Sequence, residues 1–354
     1  MNIHPAFRLN NQSFSTVEEL LNYTKTFSKE VYTFFLDWFN KEDYVIVHTS
    51  GSTGKPKPIS LKKAYMENSA KATGVFFNLK ENTTALVCMS TNYIAGKMML
   101  VRALVLGWHI DIVEPSSNPL ENLEKIYDFS AMVPMQLQAS LGELHKVKKL
   151  IVGGGVVAFD LIKKIQQVST HIYATYGMTE TITHIAVKKL NYFEASEKEQ
   201  ALYTTLPEVY IEQDSRNCLV INAPKVSEEK IITNDIVNLI SEKEFEWLGR
   251  FDHVINSGGV KLHPELIEEK LEAILTTRFF VAGVSDAILG EKLIVVIEGN
   301  ESDKSRAEIT RKIKGLSRLS AYEKPKEILF VPKFIETETG KIQRQKTLKL
   351  IKKH

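Results

Sequence analysis

The chain has 354 residues, 44% of them hydrophobic, enough for a sizeable core and more than one domain. A net charge of +2, with acidic and basic residues mixed along the chain, lacks the clustered basic face of a nucleic-acid binder. Cys88 and Cys218 lie in apolar stretches with no Cys or His at ligand spacing, no apolar run nears the ~18 residues of a membrane span, and the first residues lack a signal-peptide layout. A cytoplasmic protein with buried thiols, no disulfide framework and no membrane insertion is therefore expected.

Ser15-Thr16-Val17-Glu18 is a capping-box pattern that predicts a helix to about residue 27. A second amphipathic stretch over 31–39 leads into the apolar strand Tyr44-Val45-Ile46-Val47, and a loop of small residues precedes a predicted helix over 62–74. Strand-like runs follow at 85–89, 110–113 and 150–152, with helical segments at 97–106 and around 160–167 between them. This alternation predicts an α/β domain with a mostly parallel sheet. From about residue 203, short strand candidates separated by polar turns predict a β-rich subregion, among them Cys218-Leu219-Val220-Ile221. His263-Pro264 then opens a helix over 265–275, with proline tolerated at the first helical position. A strand at 293–298, a helix at 305–313 and a strand at 327–331 complete a small α+β C-terminal unit. The boundary is placed near Gly249-Arg250-Phe251-Asp252, giving expected domains of 1–249 and 250–354.

Three segments carry chemistry. Thr49-Ser50-Gly51-Ser52-Thr53-Gly54-Lys55-Pro56-Lys57 offers hydroxyls, free backbone N–H groups and lysines, suited to wrapping phosphates. It is not a Walker A loop, because Thr49 occupies the first glycine position and Pro56 replaces the Ser/Thr. Gly153-Gly154-Gly155 follows an apolar strand and, through Ala158, mimics a dinucleotide fingerprint. The acidic residue expected about 20 positions on is absent, so a strand end where backbone approaches a flat ligand is the better reading. In Tyr176-Gly177-Met178-Thr179-Glu180-Thr181, Tyr176 offers a stacking face, Thr179 a hydroxyl and Glu180 a hard oxygen ligand for Mg²⁺.

With Thr233-Asn234-Asp235, Gly249-Arg250-Phe251-Asp252, Ser257-Gly258-Gly259 and Thr339-Gly340-Lys341-Ile342-Gln343-Arg344, these motifs resemble, in order, the AMP-forming acyl-CoA synthetases. The resemblance implies an adenylate-forming ligase that uses a small-molecule acid, ATP, Mg²⁺ and coenzyme A as co-substrate. Residues 49–57 would close over the ATP phosphates, with Thr49, Ser50, Gly51, Ser52, Thr53, Gly54 and Lys57 as ligands. Gly153, Gly154, Gly155, Tyr176 and Gly177 would hold adenine, and Thr179 the α-phosphate. Glu180 would bind Mg²⁺, and Asp235 with Arg250 the ribose. Asp252 would be the hinge of a swinging C-terminal domain, and Lys341 the lysine that bridges carboxylate and α-phosphate. Ser257, Gly258 and Gly259 would line the CoA channel.

Among the short members the chain is most similar to the o-succinylbenzoate–CoA ligases of menaquinone biosynthesis. The similarity rests on residues 91–99, the glycine triplet and residues 176–186. It places Tyr93, Gly96, Lys97 and Arg102 at the acid site. On a helix, Lys97 and Arg102 would sit about 140° apart and face different surroundings. Arg102 is favoured as the partner of a second carboxylate, since a guanidinium can grip it bidentately. Pro58, Asn234 and Glu336 depart from the family pattern, and only 48 residues precede the phosphate loop, which implies a small acid pocket rather than one for long-chain acids. Two alternatives stay open: an enzyme that loads a carrier protein, and a non-catalytic nucleotide-binding relative.

Overall fold

A computed structural model describes residues 2–48, 58–192, 202–337 and 342–351. Helix Val17–Phe27 starts one residue later than the Ser15 pattern predicts: Thr16 Oγ1 accepts the Glu19 N–H at 3.1 Å, and Glu19 reaches back to the Ser15 N–H at 2.8 Å. Thr16-Val17-Glu18-Glu19 fits the same pattern, so the sequence offers two registers and the burial of Leu20 accompanies the second. Helix Lys29–Phe39 follows, capped by Ser28, and buries Val31, Phe34, Phe35 and Trp38.

A thirteen-stranded sheet forms the centre. Six neighbouring strands are parallel, in the order Arg8–Leu9, His109–Ile112, Thr84–Val87, Tyr127–Met132, Val147–Val152 and His171–Gly177. Beyond His171–Gly177 the sheet turns antiparallel through His184–Lys189, then Leu202–Thr205, Glu244–Arg250, Ile231–Leu239, Cys218–Asn222 and Tyr210–Gln213, the last five being the expected β-rich subregion. Alternate residues feed opposite cores, as the pleat requires. Ala85, Val87, Phe129 and Ile151 pack on the side of helices Lys63–Phe77 and Ile94–Leu106, whereas Leu86, Cys88, Leu150 and Val152 join the side of Pro134–Ala139 and Phe159–Ile165.

Tyr127–Met132 is a central strand that hydrophobic patterning does not reveal, because Asp128 and Ser130 interrupt it. Both are satisfied internally: Asp128 accepts the Thr84 N–H at 2.9 Å, and Ser130 Oγ donates to the Leu86 carbonyl at 3.0 Å.

From Arg250 the chain passes through the turn Phe251–His253 into a five-stranded sheet of Ile255–Ser257, Val260–Leu262, Phe279–Asp286, Gly290–Glu298 and Glu327–Val331. Helices Pro264–Leu271, Asp303–Gly315 and Arg344–Ile351 accompany it, with separate clusters around Leu271, Val281 and Val295 and around Phe280, Ile294 and Phe334. Among the described residues no helix is long and apolar enough to cross a membrane.

Candidate active site

The glycine triplet and Tyr176 come together at the carboxyl ends of two neighbouring parallel strands, Val147–Val152 and His171–Gly177, paired Val152 to Ala174. Ligands of open α/β sheets gather at such ends. Gly153 leaves no room for a side chain, since a Cβ would come within 2.5 Å of Thr175 Oγ1, and Gly154 takes a left-handed φ of +81°. The result is bare backbone on an exposed rim.

Tyr176 Oη donates to Asp235 Oδ2 at 2.6 Å, and its ring meets Tyr203 and Phe245 edge-on. Burial, reinforced by the carboxylate, pushes its phenol well above the usual tyrosine range. Asp235 and Arg250 are cross-strand partners, Nη1 lying 3.7 Å from Oδ1, and Arg250 Nε also reaches Asp252 at 3.1 Å. Residues 176, 235, 250 and 252 thus form one contiguous polar chain. Asn234, one of the departures from the family pattern, sits in strand Ile231–Leu239 without a left-handed φ and accepts from Arg216 at 2.9 Å.

Thr179–Thr181 form a single 3₁₀ turn with Glu180 exposed. Among the described residues no cluster of three metal-ligating side chains exists. A lone exposed carboxylate fits Mg²⁺, which keeps several waters and uses one or two carboxylates with substrate phosphates. The next residue but one, Ile182, is buried at φ +67° and ψ −62°, and the Thr183 N–H reaches back to the Thr181 carbonyl at 2.8 Å. This is a γ-turn of the rare strained type, on a β-branched residue, at a cost of about 1–3 kcal/mol. Gly177 makes room for it: a Cβ there would collide with the Thr183 carbonyl.

The residues expected at the acid site separate into two groups. Tyr93 precedes helix Ile94–Leu106 and is exposed, and Gly96 is packed against the Ser90 carbonyl. Lys97 turns toward the N-terminal helices, donating to the Thr91 carbonyl at 2.8 Å with Phe34 beneath its ammonium. Arg102 is only 2% exposed. It makes long contacts to Thr73 Oγ1 at 3.3 Å and Thr183 Oγ1 at 3.4 Å. Among the described residues no carboxylate lies within ion-pair reach of it, and burial brings its guanidinium down to about 10. Ser69 Oγ lies 3.2 Å from Thr183 Oγ1, and His184 Nδ1 3.5 Å from it. Burial, then the charge of Arg102, hold the His184 imidazole well below its usual range, and among the described residues Nε2 has no hydrogen-bond partner. Ser69, Thr181 and His184 line a cleft of about 280 Å³. Sequence reasoning passed over Ser69, Thr73, Thr183 and His184; only the closeness of the last two to Glu180 pointed to them.

The residues expected to wrap the phosphates, Thr49, Ser50, Gly51, Ser52, Thr53, Gly54 and Lys57, lie outside the described residues, as does Lys341. Their flanks are described. Strands Tyr44–His48 and Pro58–Lys62 pair antiparallel and set His48 opposite Pro58, which opens its strand, where proline is tolerated. Glu336 bridges Ile342, and three residues after Lys341 Arg344 donates to Glu268 at 2.7 Å and to the Val281 carbonyl at 3.2 Å. Burial pushes Glu268 up to about 7, against the pull of Arg344. Ser257, Gly258 and Gly259 form a tight hairpin turn, both glycines at left-handed φ, +59° and +83°.

A mixed sheet with nucleotide-type loops at its parallel strand ends, joined to a small α+β unit, is the fold of an adenylate-forming enzyme. The family described as AMP-binding enzyme matches residues 11–221. The chain belongs to that family, whose members include the AMP-forming acid–CoA ligases. It is 25% identical over 331 residues to the 2-succinylbenzoate–CoA ligase of Lactococcus lactis, covering 87% of this chain and 71% of that one. An acyl-CoA synthetase (AMP-forming)/AMP-acid ligase II-like protein from Dyadobacter fermentans is 39% identical, at a TM-score of 0.61, covering 91% of this chain and 93% of that one. The o-succinylbenzoate CoA synthetase of Bacillus subtilis, solved with its acyl-adenylate intermediate, shares the fold at a TM-score of 0.70 and 19% identity, covering 85% of this chain and 68% of that one.

Proposed function

We propose that the protein adenylates 2-succinylbenzoate with MgATP and transfers the acyl group to CoA, the ligase step of menaquinone biosynthesis. A carboxylate oxygen of the acid attacks the α-phosphorus, the α–β anhydride breaks, and pyrophosphate leaves. The CoA thiol then attacks the acyl carbonyl, losing its proton, and AMP leaves. In this reading Gly153–Gly155 and Tyr176 hold adenine, and Asp235 with Arg250 the ribose. Thr179 and Glu180 face the phosphates and Mg²⁺, and residues 49–57 cover them. Lys341 stabilises the charge that builds at the α-phosphorus. The C-terminal unit from residue 250 swings at Asp252, bringing the 257–259 turn to a CoA channel.

The observation that carries the substrate is Arg102. A buried guanidinium without a carboxylate is costly unless a ligand completes it, and this acid has a second carboxylate to offer. ATP–pyrophosphate exchange with 2-succinylbenzoate and with 4-oxo-4-phenylbutyrate, which lacks the ring carboxylate, tests it. The dicarboxylate should be strongly preferred, and a preference for the monocarboxylate overturns the assignment. Free CoA against a phosphopantetheinylated carrier protein then decides the acceptor, and absence of exchange with every acid leaves the non-catalytic alternative.

A further inference from the structure

One helix of the C-terminal unit meets the large sheet through carboxylates. Glu265 and Glu269 of helix Pro264–Leu271 and Glu272 at its end are spaced four and three apart, on one face. Glu265 lies against Gly249, where any Cβ would strike its carboxylate. Glu269, with Glu246, supports the Lys188 ammonium, which burial pulls down. Glu272 Oε2 accepts the Phe159 N–H at 2.9 Å. Phe159 is the first residue of helix Phe159–Ile165, and the residue before it, Ala158, has no side-chain acceptor. The Phe159 ring also carries Lys163 on its own helix, 4.3 Å from the centroid, and Arg318 from the C-terminal unit at 5.8 Å. The helix that follows the glycine triplet therefore borrows its cap from the other side of Asp252.

We infer that Glu272 is a positioning residue: by capping helix Phe159–Ile165 it ties the order of the 153–158 glycine segment to the placement of the C-terminal unit. This rests on the reading above, in which the triplet holds adenine and Asp252 is the hinge. A swing at Asp252 carries Glu272 away, leaving the Phe159 N–H to water and the positive end of the helix dipole without its carboxylate. The nucleotide site then differs between the two placements, so the two half-reactions are served by different versions of it. Glu269 and Glu265 hold the same face, but among the described residues neither has a hydrogen bond or ion pair to the segment after the triplet.

The test uses the whole enzyme with Glu272→Ala, which removes charge and acceptor, and Glu272→Gln, which keeps length and an acceptor oxygen. Glu308→Gln, on the far helix where Glu308 pairs with Lys312, is the control. ATP–pyrophosphate exchange reports the first half-reaction, and thioester formation from supplied acyl-adenylate the second. Glu272→Ala should shift the ratio of the two rates by about tenfold, the worth of one charge-assisted hydrogen bond, and raise the Kd for ATP by a similar factor. Glu272→Gln should fall between it and wild type, and Glu308→Gln should leave both readouts unchanged. Equal loss of both rates, or an unchanged ratio and an unchanged Kd, overturns the inference. Glu272→Gln carries the test alone if the alanine variant does not fold. Should wild type exchange pyrophosphate with no acid, the functional reading fails, while calorimetric ATP binding to the variants still decides the role of Glu272.

Discussion

Replacing Arg102 by Met should make the unliganded protein more stable while destroying its choice of acid. Burial brings the guanidinium well below its ordinary value, down to about 10. At about 1.36 kcal/mol per pH unit, keeping that charge inside the unliganded fold costs on the order of 3 kcal/mol. The sign is settled by both values lying above neutrality: the cost is fully present at pH 7 and fades only as the pH rises beyond about 10. Methionine preserves an unbranched apolar stem and removes the charge. The hydroxyls it abandons keep other partners, since Thr73 Oγ1 donates to the Ser69 carbonyl at 3.0 Å and Thr183 Oγ1 keeps Ser69. A net gain of roughly 1–2 kcal/mol in urea unfolding at pH 7 is expected, within the range for apolar replacement of buried charges. The ratio of kcat/KM for 2-succinylbenzoate over 4-oxo-4-phenylbutyrate should fall by roughly 2–5 kcal/mol, thirtyfold or more. A variant that is less stable than wild type by more than about 1 kcal/mol, or that keeps the dicarboxylate preference, would show that Arg102 is a structural cation.

Other outcomes follow from the same geometry. Glu268, pushed up to about 7 in the fold from an ordinary 4.5, binds its proton more tightly folded than unfolded. Wild type should therefore gain on the order of 3 kcal/mol relative to Glu268→Gln as pH falls from about 7 to about 4.5, read by urea melts across that window; parallel curves would refute it. Lys341→Ala should abolish pyrophosphate exchange and spare thioester formation from supplied acyl-adenylate, and equal loss of both removes its assignment. Glu180→Gln, which keeps size but not charge, should raise the Mg²⁺ concentration for half-maximal activity; an unchanged requirement makes Glu180 structural. Gly96→Ala should lose roughly 1–3 kcal/mol of stability and raise KM for the acid, because the Ser90 carbonyl must retreat.

Much of the fold was legible because the parallel strands are apolar runs between helical periods, and Glu327–Val331 matches its expected span to the residue. Strands Tyr127–Met132 and His171–Gly177 were not legible, because polar residues inside them are satisfied by neighbours far away in sequence, as Asp128 is by Thr84. At the site, the glycine triplet and residues 176–180 were legible as motifs, since glycine and short polar runs leave a local trace. The Tyr176–Asp235 bond joins residues 59 apart, and the cap from Glu272 to Phe159 joins residues 113 apart. No period or spacing encodes such pairs. Helix Pro264–Leu271 stops short of the expected residue 275, and the residue at its end, Glu272, is the one that reaches across to Phe159.

The γ-turn at Ile182 sets two demands on a single position. The core asks for a large apolar side chain, while the backbone asks for a residue indifferent to left-handed φ, and no natural amino acid supplies both. Glycine would relax the turn and empty the core; any branched residue fills the core and keeps the turn tense. Position 182 is thus a place where two contributions to stability compete, about 1–3 kcal/mol of backbone strain against roughly 2–5 kcal/mol of core packing, and packing wins. A laboratory screen scored only on melting temperature should therefore leave Ile182 in place, strain included, because every cure for the backbone removes more core than it relieves.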